Sequence, residues 1–318
     1  MPANQQSIAI LTAVKDNLES CILGKSFEID LLLTALLAGG HVLIEDVPGT
    51  GKTQLIKALA KSIDGEYRRI QCNPDLLPSD ITGVSVFHPH EERFVFRPGP
   101  VMSNILLADE INRATTKTQS ALLEVMEERS VTVDGATYAL PHPFMLCATQ
   151  NPIDFEGTYM LPEAQLDRFM LKLGMGYPDA LTEKNMLHSH SLGQPVDQLK
   201  PVTNAEQIAA VQREIREVHI SESLTDYLLE IVRRTRNHEA VLLGASPRAS
   251  LAFLAAAKAF AFLHERDYVL PDDLKILAPY VLGHRMLLRP ESRLDSLNSQ
   301  RVLEQILRQV QVPISAGR

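Results

Sequence analysis

Residues Asp46 to Thr53 read D-V-P-G-T-G-K-T, between the apolar run Val42-Leu43-Ile44 and a helical pattern of Leu55, Ile56, Leu59, Ala60 and Ile63. A strand that passes through a glycine-rich turn ending in Lys-Thr and then into a helix is built to hold a polyphosphate. The glycines let backbone N–H groups curl round the anion, and the helix N-terminus adds unpaired donors and partial positive charge. Lys52 is expected to reach the outer phosphates and Thr53 to ligate Mg²⁺. The usual motif begins with glycine; this chain has Asp46 there, while Gly49 and Gly51 are in place.

That loop fixes the layering around it. Up to about Tyr177, short apolar runs alternate with helical patterns, which predicts α/β layers on a parallel sheet. Strands are expected at Val42–Glu45, Arg68–Cys72, Ile105–Asp109, Phe144–Thr149 and Phe169–Met175, several of them near-continuous apolar runs of the kind buried on both faces. Two hairpin inserts interrupt the rhythm. Val84 to Phe96 alternates at both ends around a tip with His88, His90, Glu91 and Glu92; Val131 to Tyr138 turns at Asp134-Gly135. After Tyr177-Pro178-Asp179 the apolar positions recur at helical spacing and no strand signal appears. Ser246-Pro247 reads as an N-cap with proline at the first helical position. The expected organisation is residues 1–177 as a nucleotide-binding core and 178–318 as a small helical domain.

Asn104 to Glu110, N-I-L-L-A-D-E, delivers two carboxylates to the edge of a buried strand. Beside a phosphate loop the first, Asp109, suits Mg²⁺ and the second, Glu110, suits the general base that polarises a water. Asn151 follows the next strand and can orient that water or touch the γ-phosphate. Arg168 precedes the last strand. Arg248 lies in the first turn of a helix, where a positive charge opposes the macrodipole unless an anion is near.

In that order, these elements resemble an AAA+ ATPase. More narrowly, H-V-L-I-E-D-V-P-G-T-G-K-T, F-R-P-G-P-V, L-L-A-D-E-I-N-R, K-T-Q-S-A-L-L-E-V-M-E-E, A-T-Q-N-P and L-P-E-A-Q-L-D-R-F resemble the MoxR family, over about Ile22 to Arg248. The resemblance implies an AAA+ P-loop core, a helix-2 insert and a hairpin before sensor 1, both facing a ring pore, and an all-α lid. It accommodates Asp46, which the family's loop also carries. It implies adenine contacts from Ile22, Leu23 and Gly24, and phosphate contacts from Val47, Pro48, Gly49, Thr50, Gly51, Lys52, Thr53 and Gln54. Asn151 would be sensor 1, Arg248 sensor 2, and Arg168 the arginine finger given to a neighbour, with Arg113 a second candidate. ATP would bind between core and lid, at a subunit junction. The partners implied are other copies in a ring of six, a client protein matured or loaded with a metal cofactor, and a protein with a von Willebrand factor A-type domain.

Bulk properties narrow the alternatives. The 318 residues carry a net charge of −8, no Trp and 5% aromatics. That is a poor footprint for nucleic acid and weighs against a DNA- or RNA-dependent helicase-type motor, the main alternative. A nucleotide-sensing scaffold would have no need of Glu110, Asn151, Arg168 and Arg248 together. No apolar run spans a bilayer and no signal peptide is visible. Cys21, Cys72 and Cys147 lie far apart and read as small core residues of a cytoplasmic protein. His88-x-His90 and His188-x-His190 read as solvated loop histidines, and Arg233-Arg234-x-Arg236 as a solvated face or subunit contact. Glu124, Glu127 and Glu128 read as ordinary helix surface.

Overall fold

The computed structural model describes residues 5–90, 92–151, 158–190, 195–294 and 297–313. Glu91, Pro152 and the side chains of His188 and His190 lie outside the described residues. Helices α1 (Gln5–Glu19) and α2 (Ser26–Leu37) precede strand β1 (Val42–Glu45), and the phosphate loop opens α3 (Lys52–Ser62). β2 (Tyr67–Gln71) and the short α4 (Pro78–Thr82) lead to a hairpin of β3 (Gly83–His88) and β4 (Arg93–Pro98). Then come β5 (Ile105–Asp109), α5 (Thr116–Glu128) and a second hairpin, β6 (Ser130–Val133) and β7 (Ala136–Ala139). β8 (Met145–Gln150), α6 (Glu163–Leu166) and β9 (Leu171–Leu173) complete the α/β part.

The central sheet runs β2-β5-β8-β1-β9 with every pair parallel. Its strands alternate their side chains between two cores. Val42, Ile44, Ile105, Leu107, Met145 and Cys147 join the apolar faces of α1, α2 and α3. Leu43, Leu106, Ala108, Leu146 and Ala148 join Leu122, Leu123 and Met126 of α5. Both faces are covered, which is why these strands read as unbroken apolar runs. β2 is the exception: it buries Ile70 and leaves Arg68, Arg69 and Gln71 exposed, a charged edge that discourages further pairing. Cys72 and Cys147 are buried free thiols whose pKa burial pushes upward, so they act as core packing.

Asp134 and Gly135 both take positive φ, +50° and +80°, as the expected turn requires. The other hairpin adds an apolar surface that its polar tip did not suggest. Val84, Val86, Phe87, Phe94 and Val95 are exposed along it, and Phe87 meets Phe94 edge to face with centroids 5.4 Å apart.

Beyond Tyr177 the chain is helical: α7 (Ala180–His190), α8 (Pro195–Gln198), α9 (Ala205–Ile215), α10 (Glu222–Asn237), α11 (Pro247–Leu263), α12 (Pro271–Leu282), α13 (Pro290–Leu294) and α14 (Ser299–Gln309). Asn204, Ser221, Ser246 and Asn298 cap α9, α10, α11 and α14 by accepting the N–H three residues on. The absence of strand signal here needs one correction. β10 (Val241–Leu243) and β11 (Leu287–Leu288) pair antiparallel, but runs of three and two residues are too short to show a period. Ala249, Ala256, Ala257, Ala259 and Ala261 of α11 are buried, and α11 packs on both α2 and α12. The helical region therefore shares one continuous core with α1 and α2.

Candidate active site

The phosphate loop follows β1 at the C-terminal edge of the parallel sheet. Gly49 and Gly51 each take φ +87°, which L side chains avoid, and nothing lies within 4 Å of where a Cβ would sit. The loop is an open cradle of backbone donors ahead of α3. Asp46, where the general motif has glycine, ties that cradle down. Its carboxylate accepts from the N–H of Val47 at 2.7 Å, Met175 at 2.9 Å and Gly176 at 2.7 Å. The Lys52 ammonium donates to the carbonyls of Asp46 and Val47 at 2.8 and 2.9 Å. Burial lowers its pKa, while Asp46, Asp109 and Glu110 pull it back up.

Asp109 and Glu110 arrive on the same edge from β5. Asp109 holds Arg69 at 2.6 Å and accepts the Thr149 hydroxyl at 2.5 Å. Thr149 in turn accepts the Glu110 N–H at 2.8 Å. That bond helps hold Glu110 at φ +56°, an uncommon conformation for a non-glycine residue and one that swings its carboxylate out of the strand direction. The Glu110 carboxylate accepts from Gln71 at 3.0 Å and pairs with Arg113 at 3.2 Å. One pocket of about 210 Å³ gathers Pro48 to Gln54, Asp109, Glu110, Thr149, Gln150 and Asn151.

These residues fit a nucleoside triphosphate with Mg²⁺. The described residues hold no cluster of three or more His, Cys, Asp or Glu side chains able to take a metal. Mg²⁺ needs none, because it is commonly held by one or two protein oxygens together with phosphate oxygens. The Thr53 hydroxyl and the Asp109 carboxylate, which line this one pocket, could supply such a pair. Ile22, Leu23 and Gly24 do not line this pocket. Gly24 sits against Thr182, and Lys25 donates to the carbonyls of Met175 and Tyr177, beside the segment that Asp46 anchors.

Arg168 and Arg248 are brought together with each other and not with the phosphate loop. Both pair with Glu127 at the end of α5, Arg168 at 3.1 Å. They line a separate pocket with Gly39, Gly40 and His41, which precede β1, whereas Asp46 and the loop follow it. The two sites thus lie at opposite edges of one sheet, separated by at least a strand of four residues, roughly 13 Å at ~3.3 Å per residue. The expectation that ATP lies between core and lid with Arg248 upon it is not met within one chain. Arg113, the second finger candidate, sits beside its own chain's Glu110.

Several participants carry no sequence signal of their own. Asp167 accepts the Ser246 hydroxyl at 2.8 Å and the Arg285 Nε at 2.8 Å, joining the residue before Arg168 to the cap of the helix that bears Arg248. Arg285 also donates to the carbonyls of Asp167, Phe169, Met170 and Val281. Glu127, read as plain helix surface, is the shared anion of the arginine pair. Thr149, Gln71 and Arg69 hold the two acidic residues of the loop site.

Comparison with known proteins agrees with this architecture. Residues 41–171 match the family described as "ATPase family associated with various cellular activities (AAA)", and residues 233–306 match an AAA lid domain. The chain is 51% identical to the uncharacterized protein YeaC of Bacillus subtilis over 96% of its length and 95% of that protein's. It is 40% identical to Chaperone MoxR1 of Mycobacterium tuberculosis over 92% of its length and 79% of that protein's. It is 32% identical to Protein MoxR of Paracoccus denitrificans, over 88% and 90%. A solved structure of a putative ATPase from Cytophaga hutchinsonii superposes with a TM-score of 0.92 at 40% identity, over 98% of this chain and 97% of that one.

Proposed function

The chain belongs to the MoxR family of AAA+ ATPases, and we propose that it hydrolyses MgATP at sites completed between subunits of a homo-oligomeric ring of six. The observation that carries this reading is the separation of the two charged centres across the sheet. A subunit that keeps its phosphate loop at one edge and Arg168 with Arg248 at the other has half of two sites. A neighbour's arginines complete the first half, and a neighbour's phosphates complete the second.

Within the site, the loop amides and Lys52 bind and orient the phosphates. Thr53 and Asp109 would hold Mg²⁺, which would supply positive charge to the transferred phosphoryl group. Glu110 takes the proton from the attacking water, and Asn151 orients that water. Thr149 sets the backbone turn that aims Glu110, and Gln71 and Arg113 hold its carboxylate until water and phosphate are in place. Arg168 and Arg248 of the adjoining subunit stabilise the charge on the transferred group. Ile22 to Gly24 border the adenine, with residues 1–177 as the core and 178–318 as the lid.

The energy is spent on a client protein, in a chaperone-like role that fits the name of the mycobacterial relative. The family resemblance adds metal-cofactor insertion and a von Willebrand factor A-type partner in the cytoplasm. Support for a protein client over nucleic acid comes from the net charge of −8 and the exposed Val and Phe side chains of the β3–β4 hairpin. Among the described residues no helix is long and apolar enough to cross a membrane.

The test is complementation. Arg168→Ala and Lys52→Ala are each expected to be inactive, since fingers of this kind are worth ~10³–10⁵ in rate. A mixture should recover activity, because one junction in the mixed ring pairs an intact loop with an intact finger. No recovery, together with concentration-independent activity in a monomer, would refute the shared site. Recovery with Arg113→Ala but not with Arg168→Ala would move the finger to Arg113. Several-fold stimulation by single-stranded DNA, lost as salt rises, would replace the protein client with a nucleic acid.

A further inference from the structure

Arg248 occupies the first turn of α11, where the helix dipole disfavours a cation. The anion that makes the position tolerable is Glu127, in the last turn of α5. One carboxylate oxygen of Glu127 takes Arg248 and the other takes Arg168, so a single carboxylate bridges two guanidiniums from two other elements. Two cations converging on one anion is the geometry that a terminal phosphate requires. The three side chains remain 31 to 46% exposed, so this bridge can open without unfolding anything.

The rest of the pocket favours an exchange. It measures about 230 Å³ and is lined by Arg129, Arg168, Arg248 and Arg285 against two carboxylates, Glu127 and Asp167. Asp167 is committed to Arg285 and Ser246. The Glu127 carboxylate is held by Arg168 and Arg248 and stands on an exposed helix end. A phosphate brings more charge and more acceptor oxygens than the carboxylate it would displace, and it suits planar guanidinium donors at least as well.

We infer that Glu127 is a resident counter-ion, which occupies the arginine pair in the unassembled subunit and is exchanged for the neighbour's terminal phosphate when the ring closes. This rests on the reading that Arg168 and Arg248 act in trans. Glu127 then sets a threshold. It keeps two cations paired while no nucleotide faces them, and it competes with assembly until one does.

The experiment uses the full chain and reads ATPase activity and sedimentation against protein concentration, with MgATP as the probe. Glu127→Gln retains the shape and removes the competing charge. The concentration giving half-maximal specific activity should fall at least three-fold, and the larger species should form at lower MgATP. Glu127→Asp, too short to bridge both arginines, should shift the midpoint in the same direction by less. A midpoint that stays put or rises in both variants overturns the inference, because an ordinary stabilising ion pair gives that result. Complementation between Arg168→Ala and Lys52→Ala, run alongside, separates the two ideas. If it succeeds while the midpoint does not fall, only the role of Glu127 is lost; if it fails, the trans reading goes with it.

Discussion

Removing the Asp167 carboxylate should cost more than any other single change near the arginine pair, and the structure says how much. Arg285 has a side chain only 2% exposed, and its Nε lies 2.8 Å from Asp167. Burial draws its pKa down to about 10, with Asp167 the main influence opposing that, so the guanidinium stays charged at neutral pH. Asp167→Ala leaves that charge buried without its counter-ion, a loss of ~3–5 kcal/mol in comparable cases. Arg285 retains four backbone carbonyl acceptors, so the lower end applies, about 3 kcal/mol. Urea unfolding followed by circular dichroism measures it. Arg285→Met should also destabilise alone, but Asp167→Ala combined with Arg285→Met should recover at least half of the Asp167→Ala loss, because no orphaned cation remains. Nucleotide affinity should hold, since the phosphate loop is at the other edge of the sheet, while turnover falls as Ser246 and Arg248 lose their anchor. A stability loss below about 1 kcal/mol, with no coupling between the two positions, would refute the reasoning.

Three further outcomes are expected. Thr149→Val should lower kcat at least ten-fold and destabilise by ~1–3 kcal/mol, because the Glu110 N–H loses its partner at a strained turn; steady-state kinetics with nucleotide binding would show kcat falling while affinity holds. His41 is buried, accepts the Leu146 N–H on one ring nitrogen and meets the Met126 carbonyl with the other; burial takes its pKa from 6.5 to about 4. The neutral ring is the folded form, so stability is full above pH 6.5 and is lost as pH falls toward 4, by about 3 kcal/mol at ~1.4 kcal/mol per unit; a urea midpoint as flat across that window as in His41→Gln would contradict this. Phe87→Ser with Phe94→Ser should leave stability within about 0.5 kcal/mol, because both rings are exposed, yet abolish stimulation of the ATPase by a client; undiminished stimulation would detach the hairpin from client handling.

What could be read from the chain beforehand was whatever a local pattern encodes. The apolar run Val42-Leu43-Ile44, followed by Glu45 and the phosphate loop, gave β1 to the residue, and N-I-L-L-A-D-E gave β5, because a strand buried on both faces leaves an apolar signature. β2 came one residue early and β9 shrank to Leu171–Leu173, since strand ends depend on pairing partners that a local window does not contain. β10 and β11 exist only because Val241 meets Leu288 and Leu243 meets Leu287, residues far apart along the chain. The same limit explains the site. Lys52, Thr53, Asp109 and Glu110 sit in motifs, whereas Asp167, Arg285, Thr149 and Glu127 act through bonds to residues far along the chain. Glu127 looks like any glutamate on an amphipathic helix until Arg168 and Arg248 arrive on it. The one legible hint was Arg248 itself, a cation at a helix N-terminus that demanded an anion; the sequence could not say which.

The placement of the arginines follows from chain direction. In a parallel sheet each strand enters at one edge and leaves at the other, so residues just before strands and residues just after them are kept apart by the strand's length. The phosphate loop, Glu110 and Asn151 all follow strands β1, β5 and β8. Arg168 precedes β9, and Arg248 is tied to the same edge through Ser246, Asp167 and the end of α5. No side-chain rotation closes a gap of roughly 13 Å or more, since an arginine side chain spans about half of that and already spends its length reaching Glu127. Moving α11 over the loop would require stripping it from α2 and α12 and breaking the bond from its Ser246 cap to Asp167. Bringing up a second subunit costs neither, which is why the parallel sheet itself favours a site made by two chains.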